Sequence, residues 1–257
     1  MLVLLTLVAG CGGDKRRDAY EDYVAAANTA QAQFTPGYRS AVAAIRGFGS
    51  SSDPARTAAR LREAAATVRA SRASLALLHP PPEARAMHTD LLRLLDLQAR
   101  LSQELSLAAE YIPAVARALT PPEDAAVRLR RAIRAAADDD QQRAALAGYA
   151  AEVQGSIDEL DALAPPPVLV PWHRTQAARL EAAQALASEL AAGIAAKRAD
   201  AVERALRAYA SAAPNDPALQ RAQTAAVRAF NGEIRRQQRL YQRIAREQAQ
   251  IFAELPR

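Results

Sequence analysis

Residues 78–88, Leu-His-Pro-Pro-Pro-Glu-Ala-Arg-Ala-Met-His, return in outline as residues 163–173, at an offset of 85. With that offset applied, Asp53, Leu61, Val68, Ser71, Leu75, Leu78, the three prolines, His88, Leu95 and Leu105 all fall on identical residues. Their partners are Asp138, Leu146, Val153, Ser156, Leu160, Leu163, Pro165 to Pro167, His173, Leu180 and Leu190. Self-similarity at one fixed period is the mark of a duplicated supersecondary unit, and it leaves room for two copies in 257 residues. Three successive prolines have no N–H to donate and a fixed φ, so each such run ends one helix and turns the chain into the next.

Between the corners the chain reads as helix. Ala and Leu dominate, no stretch alternates at period two, and only 5% of residues are aromatic. Ala is the best helix former and a poor core filler, so burial must come from long, thin seams between helices. Tyr20, Val24, Ala27, Gln31, Phe34, Tyr38, Ala41 and Ile45 step by four and three, as do Phe230, Ile234, Gln237, Tyr241, Ile244, Gln248, Ile251 and Leu255. The predicted fold is all-α: an elongated antiparallel helical bundle built from the duplication and closed by a C-terminal heptad helix at about 217–255. Repeat 1 covers about 35–119 and repeat 2 about 120–212. The first and last seams are expected to pair. Breaks are expected at Thr35-Pro36-Gly37, in the loop from Gly47 to Asp53 and at 211–216. Pro113 should bend the third long helix near Leu119, on whose seam His88, Leu91, Leu95, Gln98, Leu105 and Ile112 are placed. Thr120-Pro121-Pro122-Glu123 reads as the capping box of a new helix.

The N-terminus has its own logic. Residues 2–10 are apolar, too few to cross a bilayer core of about 30 Å, and end in small residues directly before Cys11, the one cysteine of the chain. Val8-Ala9-Gly10-Cys11 resembles the bacterial lipobox. That resemblance implies a signal peptide at 1–10, acylation of Cys11 with palmitate or a similar chain, and a tether at 11–17 leading into a bundle at 18–257. Lys15, Arg16 and Arg17 would then lie beside anionic headgroups. No basic residue precedes the apolar run, which points to a start upstream of Met1.

Few residues offer chemistry. A lone cysteine excludes an internal disulfide framework. No His-Glu-x-x-His pair, paired-cysteine motif, glycine-rich phosphate loop or Gly-x-Ser-x-Gly elbow is present, so no enzymatic activity and no cofactor are expected. His88 and His173 stand at equivalent places six residues after each triproline. An imidazole there can bond a free carbonyl of the corner, or meet a solute between the repeats, or join Glu83 or Asp90 around a zinc ion; the first is preferred and no metal is expected. Trp172 aligns with Met87, which predicts an apolar pocket at each corner. Asp138 to Asp140 match a helix N-terminus. The net charge of +5 rests on Arg, with Lys only at 15 and 197. Arg228, Arg235, Arg236, Arg239, Arg243 and Arg246 on the last helix read as a solvated face, or as one that meets anionic lipid or an envelope polymer. Nucleic acid is not expected, since few aromatics interleave with these arginines.

The lipobox with Gly12-Gly13-Asp14, Tyr23 followed by Asn28, and Leu-x-Pro-Pro-Pro followed by His resemble a group of lipid-anchored helical-bundle proteins of high-GC Gram-positive bacteria, most of them uncharacterised. The resemblance implies a lipoprotein on the extracytoplasmic face of the cell membrane, acting in envelope scaffolding or protein interaction. The alternative is a solute- or metal-binding lipoprotein with a site near His88 and His173.

Overall fold

The computed structural model describes residues 15–32, 35, 39, 43, 53–200, 202–204, 207 and 217–255. The signal peptide expected at 1–10, Cys11, the break expected at 36–37, residues 47–52 of the expected loop and the break at 211–216 lie outside them. Among the described residues the chain is all-α, with no strand and no cis peptide bond. The helices are α1 (Lys15–Ala32), α2 (Pro54–Ala76), α3 (Arg85–Ala135), α4 (Asp139–Asp161), α5 (Val170–Ala195) and α6 (Pro217–Glu254). Short 3-10 turns at Pro82–Ala84 and Pro167–Leu169 lead into α3 and α5.

Element boundaries repeat at the offset of 85. α2 and α4 each hold 23 residues, and both 3-10 turns begin on the third proline of their run. Asp53 and Asp138 are the N-caps, with Asp53 Oδ1 accepting from the Arg56 N–H at 2.9 Å and Asp138 Oδ1 from that of Gln141 at 2.8 Å. Each cap satisfies a helix-end donor that has no partner within the helix. Five of the shared identities are buried in both units: Leu61 and Leu146, Val68 and Val153, Ser71 and Ser156, Leu75 and Leu160, Leu105 and Leu190.

The chain divides into two compact units, residues 1–110 with 230–257, and residues 111–229. In the first, the ion pairs Arg72–Asp96 and Arg62–Glu110 set α2 antiparallel to α3, since one number falls as the other rises. Phe230 near Leu101 and Leu105, Gln237 at the Leu97 carbonyl and Arg243 at Asp90 do the same for α6. Contacts of Arg16 with Glu83 and Tyr20 with Met87 run α1 parallel to α3. The result is a four-helix arrangement around Tyr20, Val24, Leu75, Met87, Leu91 and Ile244. The expected pairing of first and last seams is present: the rings of Tyr20 and Phe252 meet edge to face at 5.2 Å. The second unit packs Val153, Ile157 and Leu160 of α4 and Leu180 and Leu190 of α5 against Tyr111 and Val115 of α3.

One boundary differs from the sequence expectation. α3 runs unbroken through Pro113, Pro121 and Pro122, so Thr120 is an interior residue and not a cap. Its Oγ1 donates to the Ala116 carbonyl at 2.8 Å. A proline inside a helix costs about 3 kcal/mol. Set against this, Tyr111, Val115, Ala118, Pro122 and Ala125 continue one buried stripe at spacings of four and three, and breaking the helix would expose it. Ile112, placed on that seam by the sequence reading, is half exposed while Tyr111 takes the buried position.

Leu75 and Leu160 are fully buried at equivalent places. Replacing either by Ala is expected to cost about 2–5 kcal/mol, through lost transfer energy plus a cavity, read from urea unfolding. A loss below about 1 kcal/mol at either position would show that the two cores are not built alike.

Candidate functional site

The proline corners place both histidines one turn into a helix, and each meets a tyrosine. The Tyr23 hydroxyl lies 3.0 Å from His88 Nδ1 in the first unit, and the Tyr111 hydroxyl 2.7 Å from His173 Nδ1 in the second. The partner of each imidazole is therefore a phenol from a neighbouring helix and not a carbonyl of the corner, as the sequence reading preferred. A phenol reaches farther into a dry seam than a backbone group can, and its ring adds packing: the ring pairs lie 5.9 Å apart in both units. Tyr111 also meets Trp172 edge to face at 6.5 Å, while Tyr20 directs its hydroxyl at Met87 Sδ, 4.0 Å away. Trp172 and Met87 thus serve the same corner in two different cores.

Protonation follows from burial. Burial lowers the His88 imidazole below its ordinary value, so the ring is neutral at pH 7 and shares one hydrogen bond at Nδ1 with the Tyr23 hydroxyl. Burial, with a smaller contribution from Tyr20, pushes the Tyr23 phenol well above the usual range, and burial alone takes Tyr20 and Tyr111 up to about 12. All three phenols stay protonated and can donate. The spacing of the pairs is not quite the repeat: Tyr23 precedes His88 by 65 residues and Tyr111 precedes His173 by 62. The difference of three is close to one helical turn.

Asp90 and Glu83, named with the histidines as oxygen ligands, are committed elsewhere. Glu83 pairs with Arg16 at 2.5 Å. Asp90, buried, takes both Nε and Nη2 of Arg243 from α6, and Arg93 approaches it at 3.4 Å. Glu247 stands 3.9 Å from the same Arg243, and its Oε2 is buried without a partner. Burial first and the Asp90 charge second raise the Glu247 carboxyl above the usual carboxylate range, with Arg243 opposing them. A buried carboxylate needs a fixed cation, and Arg offers the matching fork. Among the described residues no group of three His, Cys, Asp or Glu side chains is placed to hold a metal ion, and no helix is long and apolar enough to cross a membrane.

Neither tyrosine partner was found by sequence reasoning. Tyr23 entered it only as part of a motif with Asn28, and Tyr111 not at all. The available signal was a tyrosine at a similar distance before each histidine. Compared with protein families, curated proteins and solved structures, this chain matches none.

Two outcomes are expected. An unfolded histidine takes up a proton near pH 6.5, whereas His88 in the folded chain does so only at lower pH. The unfolded state therefore binds more protons in that window, and stability falls as pH drops below about 6.5. Urea midpoints at pH 7.5 and 5.5 should differ less in His88→Gln than in the parent. Tyr23→Phe, which leaves Nδ1 without its hydrogen-bond partner, should cost about 1 kcal/mol at pH 7.5.

The Asp90 cluster has the opposite sign for one of its members. Glu247 is held ionised against burial, so stability rises as pH falls through its folded pKa. Glu247→Gln should raise the melting temperature at pH 7, and Asp90→Asn should cost about 2 kcal/mol. A stabilising Asp90→Asn would refute a structural role for the Asp90–Arg243 pair.

Proposed function

We propose that the chain is a lipid-anchored helical module on the extracytoplasmic face of the membrane, working by contact and not by conversion. On this reading it is an envelope scaffold that presents a basic edge to an anionic envelope polymer or a protein partner. The observation that carries it lies on α6. Ile244, Gln248, Ile251 and Leu255 are buried, while Arg228, Arg235, Arg239 and Arg246 are exposed. At about 100° per residue the four arginines fall on one line, opposite the buried seam. Arg228, Arg235 and Arg239 have no carboxylate partner among the described residues. Arginines in line along a rigid rod match repeating anionic groups on a polymer better than they match a single small ligand.

The lipobox resemblance supports the anchor, and acylation contributes about 0.8 kcal/mol per buried methylene. Lys15, Arg16 and Arg17 directly open α1 or follow within its first turn, which favours a body held close to the surface. Labelled palmitate should enter the chain in cells and be lost with Cys11→Ser, with the protein then leaving the membrane fraction. Changing Arg228, Arg235, Arg239 and Arg246 together to Gln should lower co-sedimentation with cell-wall sacculi severalfold, as should added salt. Retention unchanged by either would overturn the basic-edge reading, and an unlabelled chain would overturn the anchor.

A further inference from the structure

In the second unit, Leu129 and Ile133 of α3, Leu146 of α4 and Leu190 of α5 line a cleft of about 300 Å³. Leu146 and Leu190 are the counterparts, at the offset of 85, of Leu61 and Leu105. In the first unit that leucine pair is capped by Phe230 from α6, with Leu101 alongside. One copy of the leucine pair is stoppered by an aromatic ring, and the other opens into a cavity.

The rim of that cavity is basic. Arg130 and Arg134 line it, both exposed and neither paired with a carboxylate among the described residues. They stand four apart on α3, where like charges repel across one turn. Leu129 and Ile133, one position before each, turn into the wall. An apolar chamber with two uncompensated guanidinium groups at its mouth is complementary to a molecule with an apolar tail and an anionic head.

We propose that this cleft binds a free long-chain carboxylate, with its tail against Leu146 and Leu190 and its head between Arg130 and Arg134. A methylene takes the ~30 Å³ share of a water molecule, so the cleft holds about ten of them. Two guanidinium forks can take both oxygens of one carboxylate.

The test is calorimetric titration of the full chain with dodecanoate below its micelle concentration. Saturable binding of one molecule per chain is expected. The double variant Arg130→Gln with Arg134→Gln should weaken it roughly tenfold or more, with helical circular dichroism unchanged. Ile133→Trp, which fills the cleft from its partly buried wall, should abolish binding. Dodecyl maltoside, with the same tail and a neutral head, should bind no better than the double variant binds dodecanoate. Absence of saturable binding, equal binding of the neutral amphiphile, or indifference to both sets of substitutions would each overturn the proposal. So would a dimer of the chain that Ile133→Arg dissociates and dodecanoate does not, which would assign the cleft to a second copy. None of these readings depends on Cys11 or on the arginine edge of α6, so this proposal can fail while the anchored scaffold stands.

Discussion

A buried hydrogen-bonding group must find a partner or cost the molecule its solvation, and that requirement organises the interior of this protein. The seams are made of Leu and Ala, which bring helices close but say little about which neighbour is correct. Selectivity comes from the few polar side chains within them. Tyr23 and His88 join α1 to α3, Asp90 and Arg243 join α3 to α6, and Tyr111 and His173 join α3 to α5. Each joins helices that apolar contact alone would allow to slide. The prolines make these meetings possible, because a corner of fixed φ delivers the histidine to the same place in both copies.

The sequence periodicities were a good guide to everything that repeats. Five pairs of identities at the offset of 85, from Leu61 and Leu146 to Leu105 and Leu190, are buried, and the caps, 3-10 turns and helix starts recur with them. The heptad of the last helix was legible because its seam is buried from Ile244 to Leu255. Less legible was whatever depends on a single long-range meeting. Asp90 and Arg243 are 153 residues apart, and no periodicity connects them. The run through Pro121 and Pro122 was hidden for a related reason. Local chemistry at Thr120 favours a cap, and only the stripe from Tyr111 to Ala125, buried by other helices, overrides it.

The two units differ at several positions that the offset of 85 makes equivalent. His88 is buried, whereas His173 is partly open. Met87 sits under Tyr20 in one core while Trp172 abuts Tyr111 in the other. Gln176, buried at the place of Leu91, keeps an oxygen without a partner. In the first unit α6 supplies the rings of Phe230, Tyr241 and Phe252, the Arg243 fork and the buried Ile244 and Ile251, with Leu255 directly after it. The second unit draws on α4, α5, the end of α3 and Val202 for its core, with the cleft beside Leu146 and Leu190 left open.

The slip of three residues between the two tyrosines says something about how such a chain can change length. Moving a phenol by about one turn returns it to the same side of its rod, where it can still find the imidazole. Losing or gaining a single residue would swing it by about 100° and point it at solvent or at backbone. Within the helix that carries each tyrosine, insertions and deletions ahead of the phenol are therefore expected in steps of a whole coil. Descendants of this architecture can lengthen or shorten their rods by turns while the bond that locks them survives.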